Sequence, residues 1–259
     1  MREEFKIVYM ENIDSIEVIA KDAAKILEEF KSLEIITEDD KDIKLVADIR
    51  LQKFIIDEIK KISPYPILSE ELDNQLDIKK EDTFWVIDPL DGTYNFKHNI
   101  PFSCISIGLW KGGKPHLGVI YDFNHNNLYK GGRGFGSFLN SEKISVSSIN
   151  DVSKSSISTG LPIKMNLSNS NFKKYALNLP IFKKVRMLGS AATSLAYVSK
   201  GSIDCYFEQN IFLWDVCAGL AICEGAGAEY SIQQTDNYLF NVLVSNKKIH
   251  QQLRTLWMN

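Results

Sequence analysis

Two aspartates, three positions apart, follow an apolar run of the kind that forms a strand buried on both faces. They are Asp88 and Asp91; Pro89 fixes the turn between them, and Gly92 allows close approach of the backbone. A short helix beginning near Thr93 would present free N–H groups that favour an anion, most naturally phosphate. Carboxylates repel a phosphate unless divalent cations lie between them, and ligands made only of oxygen favour Mg²⁺ over zinc. The segment therefore predicts a magnesium and phosphate site.

Two further acidic positions stand next to predicted elements. Glu70 and Glu71 follow a short predicted apolar strand. Asp215 directly follows Trp214 in the sequence, at the start of a predicted helix. Taken singly, each has an ordinary explanation, as a solvated loop end or as a capping or first-turn acid of a helix. The aspartate pair alone is equally consistent with a polar turn after a strand. An EF-hand is excluded, because the acids that it needs at alternate positions before Gly92 are missing.

In combination, these segments resemble one family of enzymes. The motifs Glu70-Glu71, Asp88-Pro-Leu-Asp91-Gly-Thr93 and Trp214-Asp215-Val-Cys-Ala-Gly219 look like those of the inositol monophosphatase family, which belongs to the Mg²⁺-dependent, lithium-sensitive phosphatases that include fructose-1,6-bisphosphatase. The match runs in the right order through nearly the whole chain. The resemblance implies a phosphoric monoester hydrolase, a layered α/β/α/β/α sandwich (the sugar phosphatase fold) and a homodimer. It also implies Mg²⁺ as the cofactor, with two or three ions per active site.

The resemblance assigns the metal ligands. Glu70, Asp88 and the backbone carbonyl of Leu90 would hold the first Mg²⁺, and Glu70 would also face a third, weaker ion. The second Mg²⁺ would be held by Asp88, Asp91 and Asp215.

The resemblance also assigns residues to catalysis and to the substrate. The N–H groups of Gly92 and Thr93 would bind phosphate. Asp48 would pair with the Thr93 hydroxyl to orient and deprotonate the attacking water, with Glu70 as a further catalytic residue. Glu208 would accept hydrogen bonds from substrate hydroxyls. The remaining substrate-binding residues are Gly189, Ser190 and Ala191, with the Ala191 N–H near the substrate, together with Asp91 and Asp215.

The chain departs from the family pattern at three places. Leu45 and Val46 stand where relatives usually have Thr and Glu, shortly before Asp48, and Gln52 replaces a common Glu. The stretch 230–241 is shorter than usual, which predicts a reshaped pocket rim and an effect on substrate choice.

The resemblance points to a small polyol or sugar phosphate as the substrate, with inositol 1-phosphate first. Asn95-Phe96 after the aspartate motif, and the spacing of Glu208 from Asp215, look like the inositol-type members. Other substrates of the same fold stay open, namely 3′-phosphoadenosine 5′-phosphate, histidinol phosphate, fructose 1,6-bisphosphate and heptose phosphates. An alternative of another class is a non-catalytic, metal-dependent interaction protein. The physics fits the enzyme, because metal ions neutralise a phosphomonoester dianion and lower the pKa of a bound water.

Hydrophobic periodicity predicts the elements that position these residues. Helices are predicted at 12–31, 45–62, 190–200, 213–224 and 247–257. Strands are predicted at 83–87, 104–110, 116–121, 127–130, 135–139, 144–146, 184–188, 203–207 and 242–245. The first half is therefore α+β with an antiparallel meander, and strand–helix alternation predicts an α/β second half.

Two polar stretches interrupt this pattern. Residues 145–158 are the best boundary between an α+β domain with the metal and phosphate site, 1–145, and an α/β domain that completes the substrate pocket, 146–259. The charged stretch 34–44 predicts a solvated loop, with a mobile, metal-attracting flap as the alternative.

Charge and composition bound the class of protein. The chain has 30 Lys and Arg against 33 Asp and Glu, so no nucleic acid or membrane partner is expected. The first ten residues carry acids where a signal peptide needs bases, and no apolar run approaches the length of a membrane span, which predicts a cytoplasmic protein. The four cysteines lack a CxxC pair and are expected as buried thiols, and the four scattered histidines argue against a zinc site.

Overall fold

The computed structural model describes residues 2–28, 35–38, 43–161 and 170–258. Its helices are α1 (Arg2–Glu28), α2 (Val46–Ile62), α3 (Thr93–Lys97), α4 (Ser170–Asn178), α5 (Ala191–Ser199), α6 (Leu213–Gly225) and α7 (Lys247–Trp257). Its strands are β1 (Ile35–Glu38), β2 (Ile43–Leu45), β3 (Ile67–Ser69), β4 (Thr83–Asp91), β5 (Cys104–Lys111), β6 (Lys114–Asp122), β7 (Asn127–Gly132), β8 (Gly136–Leu139), β9 (Glu142–Ile144), β10 (Ser156–Thr159), β11 (Lys184–Arg186), β12 (Cys205–Phe212), β13 (Ala228–Gln234) and β14 (Leu239–Asn246).

Strands β3 to β9 form the larger sheet, in which each strand pairs with its neighbour in the chain. β3 runs parallel to β4, and all later pairs in this sheet are antiparallel. Antiparallel neighbours need only short connections, so a run of hairpins builds this sheet. The predicted meander of the first half is confirmed.

The smaller sheet has the order β11-β10-β12-β14-β13. β10 runs parallel to both β11 and β12, whereas β14 runs antiparallel to β12 and to β13. The second half is therefore mixed rather than purely parallel, although strands and helices alternate along it as predicted.

The helices and the two sheets alternate in layers. α1 and α2 pack on one face of the larger sheet, around Trp85 and Ile87 of β4. The opposite face of β4 carries Phe84 and Val86, which pack with α5, α6 and residues of β12 and β14. α4 and α7 cover the outer face of the smaller sheet, where Phe207 stacks on Trp257. This order is the α/β/α/β/α sandwich, so the predicted fold class is confirmed.

Helix α6 lies very close to the larger sheet because two strands carry glycine where they face it. A Cβ added to Gly118 would overlap the backbone of Ala218, and one added to Gly108 would come within 2.8 Å of the Cys217 sulfur. Glycine is the residue that permits such an approach. The position of α6 therefore depends on these two glycines.

Part of the charged stretch 34–44, predicted as a solvated loop, forms strands instead. Residues 35–38 and 43–45 pair as the antiparallel strands β1 and β2, so the loop prediction is wrong there. Both strands are rich in β-branched or other apolar residues that suit extended backbone. Residues 34 and 39–42 lie outside the described residues.

Other boundaries differ in extent. The first helix begins at Arg2 instead of residue 12 and is described as far as Glu28. Strands β10 and β13 were not predicted, and the strand predicted at 203–207 continues to Phe212.

All four cysteines are buried free thiols, as expected. None of the described helices combines the length and apolar character needed to cross a membrane. The division into two domains at 145 stays a prediction.

Candidate active site

Three aspartates meet where β4 ends and α6 begins. One carboxylate oxygen from each of Asp88, Asp91 and Asp215 lies within 4.8 Å of the other two. Residues three positions apart on a regular strand point to opposite faces of the sheet. Here the ladder is irregular, since Asp88 pairs with Ser106 but Asp91 pairs with Cys104, which leaves one extra residue on β4. This bulge turns both aspartates to the same side.

The three aspartates form a negative cluster, in which Asp88 and Asp91 are buried and Asp215 is half-buried. Burial, followed by the charges of Glu70 and Asp91, raises the pKa of both Asp88 and Asp215 well above the usual range. Burial also raises the pKa of Asp91 to about 6. Within the described part of the chain, no lysine, arginine or histidine pairs with these three carboxylates. Buried charges without a protein partner are costly, and a divalent cation with oxygen ligands would relieve that cost. The residues present therefore fit a bound divalent metal ion.

Glu70 borders this cluster from the turn after β3. Its backbone N–H donates to the Ile87 carbonyl of β4 at 3.2 Å. A hydrogen bond with Glu70, in addition to its charge, contributes to the raised pKa of Asp88. Glu70 lies outside the group of three whose oxygens are within 4.8 Å, but its charge acts on both Asp88 and Asp215.

Two amide side chains hold the turn that carries Glu70. Gln52 on α2 accepts hydrogen bonds from the Ser69 hydroxyl at 2.6 Å and the Glu71 N–H at 3.1 Å. Asn74 donates to the Ser69 carbonyl at 2.6 Å and accepts from the Ser69 N–H at 3.1 Å. Gln52 therefore links α2 to the Glu70 turn.

The turn after Asp91 has the shape predicted for it. Gly92 has φ +85°, and a Cβ at this position would lie 2.6 Å from the Phe102 carbonyl oxygen, so only glycine fits without strain. α3 then begins at Thr93, whose hydroxyl donates to the Leu90 carbonyl at 2.9 Å. Asp48 is buried in the first turn of α2. The predicted pairing of Asp48 with Thr93 stays a prediction.

The predicted pocket residues Ser190 and Ala191 lie at the N-terminal end of α5, against Asp91. The Ser190 hydroxyl donates to Asp91 Oδ2 at 2.6 Å, and the Ala192 N–H donates to the same oxygen at 2.7 Å. These bonds, with others from the backbone of the first helical turn, lower the pKa of Asp91, but burial outweighs them. Gly189, with φ +71°, packs against the Asn95 side chain.

Glu208 stands on β12 of the smaller sheet, near the aspartate cluster. It accepts a hydrogen bond from the Tyr206 hydroxyl at 2.8 Å, and a Cβ on Gly160 would lie 2.5 to 2.6 Å from its carboxylate oxygens. Burial raises the pKa of Glu208 to about 7; the Tyr206 bond opposes this rise, and the charge of Asp91 adds to it. Its charge also raises the pKa of Asp215, so Glu208 is electrostatically coupled to the cluster.

Three residues that hold the site, Tyr206, Thr193 and Asn74, were not predicted. Tyr206 and Glu208 are two positions apart on one strand, so the period of two would have placed their side chains on the same face. Ser190 caps the N-terminal end of α5, because its hydroxyl oxygen accepts a hydrogen bond from the Thr193 N–H. A serine directly before a predicted helix is a usable signal for such a cap. Asn74 carries no comparable signal in the sequence.

The chain is similar to proteins of one family along nearly its whole length. The model of the inositol monophosphatase family matches residues 8–256. Inositol-1-monophosphatase of Synechocystis sp. is 35% identical over 217 residues, which cover 82% of this chain and 75% of that protein. Nus factor SuhB of Xylella fastidiosa is 36% identical over 203 residues, 78% of this chain and 73% of that protein. The solved structure of inositol monophosphatase from Anabaena has a TM-score of 0.82 with this structure, at 31% identity and 96% coverage of both chains.

Proposed function

Because the chain belongs to the inositol monophosphatase family, as its motifs predicted, and is therefore a phosphoric monoester hydrolase, we propose that it hydrolyses a small polyol or sugar phosphate, with inositol 1-phosphate as the leading substrate. The family depends on metal ions, and we propose that Mg²⁺ is the ion used here, with two or three ions per site. The cluster of Asp88, Asp91 and Asp215, which lacks a protein cation in the described residues, carries this proposal.

The ligands proposed for the metal are those that surround this cluster. Glu70, Asp88 and the Leu90 carbonyl would hold one ion, and Asp88, Asp91 and Asp215 a second. Divalent ions at such a site neutralise a phosphate dianion and lower the pKa of a bound water. The shared role of Asp88 is supported by its hydrogen bond with Glu70 and by its carboxylate lying in the cluster with Asp91 and Asp215.

The proposed roles of the nearby polar groups are to bind phosphate and to hold the attacking water. The N–H groups of Gly92 and Thr93 would bind the phosphate. Asp48 and the Thr93 hydroxyl would orient that water and accept its proton, with Glu70 beside them. A hydroxyl has one proton to donate, so this pairing requires Thr93 to leave the Leu90 carbonyl that it now contacts.

Substrate choice is proposed to depend on Glu208. An ionised carboxylate accepts hydrogen bonds from the hydroxyls of a polyol, and Tyr206 leaves one of its two oxygens free for this. Gly189, Ser190 and Ala191 would line the pocket beside Asp91. Other esters of the same fold, such as fructose 1,6-bisphosphate or histidinol phosphate, remain the alternatives.

A second candidate is a role in binding another macromolecule. Its support is the similarity to a relative named Nus factor SuhB, at 36% identity. The chain is also proposed to form a homodimer in the cytoplasm, which sedimentation velocity and cell fractionation would test.

The test of the main proposal is phosphate release from a panel of esters. We expect the highest kcat/KM for inositol 1-phosphate among inositol 1-phosphate, fructose 1,6-bisphosphate, histidinol phosphate, a heptose phosphate and 3′-phosphoadenosine 5′-phosphate. EDTA should abolish release and Mg²⁺ restore it. A higher kcat/KM for another ester would refute the substrate. If Mg²⁺ raised the Tm but no ester were hydrolysed, the macromolecule-binding role would replace the enzymatic one.

A further inference from the structure

We infer that Tyr238 is a positioning residue for the metal site, because it ties the turn that carries Glu70 to the helix that carries Asp215. The inference rests on the proposed function, since it takes Glu70 and Asp215 as metal ligands. It concerns a residue that lies in the shortened stretch 230–241.

The two proposed ligands belong to different halves of the sandwich. Glu70 follows β3 of the larger sheet, whereas Asp215 is in the first turn of α6, which follows β12 of the smaller sheet. Residues 70–82 contain no regular helix or strand. A ligand on such a loop needs contacts with the other half to keep a fixed distance from it.

Tyr238 contacts both the loop that follows Glu70 and the start of α6. It lies directly before β14, and its hydroxyl donates to the Leu76 carbonyl at 2.8 Å, with the Asn74 carbonyl at 3.3 Å. Its own carbonyl accepts from the Leu213 N–H, the first residue of α6, at 2.9 Å. Its ring packs at an angle on Trp214, with ring centroids 6.0 Å apart. One residue therefore contacts the loop and the start of the helix.

The contact with the loop continues to Glu70 in two short steps. Asn74, whose carbonyl faces the Tyr238 hydroxyl, makes the reciprocal pair of hydrogen bonds with Ser69. Ser69 precedes Glu70 directly. On the other side, Leu213 is two residues before Asp215. Hydrogen bonds through Tyr238 thus connect Ser69, next to one proposed ligand, with Leu213, two residues before the other.

The expected consequence is on metal affinity rather than on chemistry. Without the hydroxyl, the loop would sample more conformations in the metal-free protein, and ion binding would have to order it. At saturating metal the loop is ordered by its ligand, so turnover should recover. Residues that orient ligands act in this way in other metal sites.

The experiment compares Tyr238→Phe with Tyr230→Phe. Tyr230 lies on β13 of the same hairpin, is also half-buried, and its hydroxyl makes no hydrogen bond within the described residues. For Tyr238→Phe we expect Mg²⁺ and Mn²⁺ affinity to fall by about three- to tenfold, the range of one ordinary hydrogen bond. Amides 69–76 should exchange hydrogen faster in the metal-free protein, while kcat at saturating Mg²⁺ stays near wild type. Tyr230→Phe should match wild type in all three measurements.

Equal ion affinity and equal exchange in the two variants would overturn the inference. So would a lower kcat in Tyr238→Phe that excess Mg²⁺ does not restore. If Tyr238→Phe failed to fold, Asn74→Ala would test the other end of the same connection and should lower ion affinity in the same sense. Ion affinity and exchange need no substrate, so a wild-type protein that binds Mn²⁺ but hydrolyses no ester refutes the proposed function while these variants still decide the role of Tyr238.

Discussion

Asp91 illustrates how one carboxylate serves both the fold and the proposed site. Its Oδ2 accepts hydrogen bonds from the Ser190 hydroxyl and the Ala192 N–H, which fixes the start of α5. Burial raises its pKa to about 6, less than for Asp88 and Asp215, whose pKa values rise well above their ordinary range. Asp91 therefore remains largely ionised at neutral pH and is ready to bind a cation.

Replacing Asp91 by asparagine separates these two contributions. Asparagine keeps an oxygen that accepts from α5 but removes the charge, so we expect a folded protein whose turnover falls about a hundredfold or more. Phosphate release and circular dichroism would measure the two effects. Asp122→Asn is the matched control, because Asp122 is a buried aspartate of the larger sheet outside the cluster. Full activity in Asp91→Asn would contradict the proposed ligand role.

The raised pKa of Glu208 predicts a pH dependence of substrate affinity. Its pKa of about 7 means that the carboxylate becomes protonated as the pH falls below 7 and loses an acceptor for substrate hydroxyls. KM for a polyol phosphate should therefore rise between pH 8 and 6. Tyr206→Phe removes a hydrogen bond that lowers this pKa, so it should move the rise in KM to higher pH. Steady-state kinetics across this range would check both shifts.

Glu208→Gln is the control for that pH dependence, because glutamine does not ionise. Its KM should stay constant over the same range, apart from changes in the phosphate itself. If Glu208→Gln lowered kcat/KM equally for every ester in the panel, the proposal that Glu208 recognises the hydroxyls of the polyol would be wrong.

At the scale of elements, the site depends on how closely α6 approaches the larger sheet. Gly118 on β6 faces the backbone of Ala218, and Gly108 on β5 faces Cys217. α6 also carries Asp215 in its first turn. Any displacement of α6 therefore moves one of the three clustered aspartates relative to the two on β4.

Gly118→Ala should displace α6, because the added Cβ would overlap the Ala218 carbonyl, a backbone group that has no rotamer to change. We expect a loss of stability of about 1–3 kcal/mol or more, with weaker Mg²⁺ binding. Gly112→Ala in the β5–β6 turn is the control, since its Cβ would meet nothing and only its φ of +59° is unfavourable. Urea unfolding would measure both, and equal losses in the two variants would contradict the packing explanation.

Prediction from the sequence succeeded where the signal is local. The strand before Asp88, the turn at Gly92 and the helix behind Asp215 follow from apolar runs and turn residues. The position of Asp91 beside Asp88 does not, because a period of two puts residues three apart on opposite faces, and only the bulge against β5 brings them together. The turn residues Pro89 and Gly92 and the family resemblance each predicted one metal site for both aspartates.

One missed element, β10, depends on distant partners. β10 is Ser-Ile-Ser-Thr, with one large apolar residue, and it is a strand because β11 and β12 flank it in parallel pairing. Composition alone gives such a segment the character of a linker. The same reason hides Tyr238, whose hydroxyl contacts the Asn74 and Leu76 carbonyls of the other half of the chain.

At the scale of the whole molecule, the two sheets bring acidic groups from both halves into one buried region. Asp88 and Asp91 come from the larger sheet, whereas Asp215 and Glu208 come from the helix and strand of the second half. The metal-free protein keeps these carboxyl groups close together and largely out of water, with Asp215 half-buried, which costs stability whenever they are ionised. A bound cation offsets that cost, so folding and metal binding are linked.

This linkage predicts opposite pH dependences with and without metal. A carboxyl whose pKa is raised by folding stabilises the folded state below its unfolded pKa, and that contribution is lost as the pH rises through the folded value. For Asp91 this interval runs from the ordinary pKa of 3.8 to the folded-state pKa of about 6, and its share is on the order of 3 kcal/mol. In EDTA, stability should therefore fall from pH 4 to pH 7, and Asp91→Asn should show a smaller fall. In excess Mg²⁺ the wild-type protein should instead gain stability over this interval, because ionised carboxylates bind the ion.

Urea unfolding at each pH measures these differences in stability. Subtracting the Asp91→Asn curve removes the contribution of other acids such as Glu17, whose lowered pKa acts in the opposite sense. Identical pH dependence in wild type and Asp91→Asn without metal would show that the buried cluster does not govern stability.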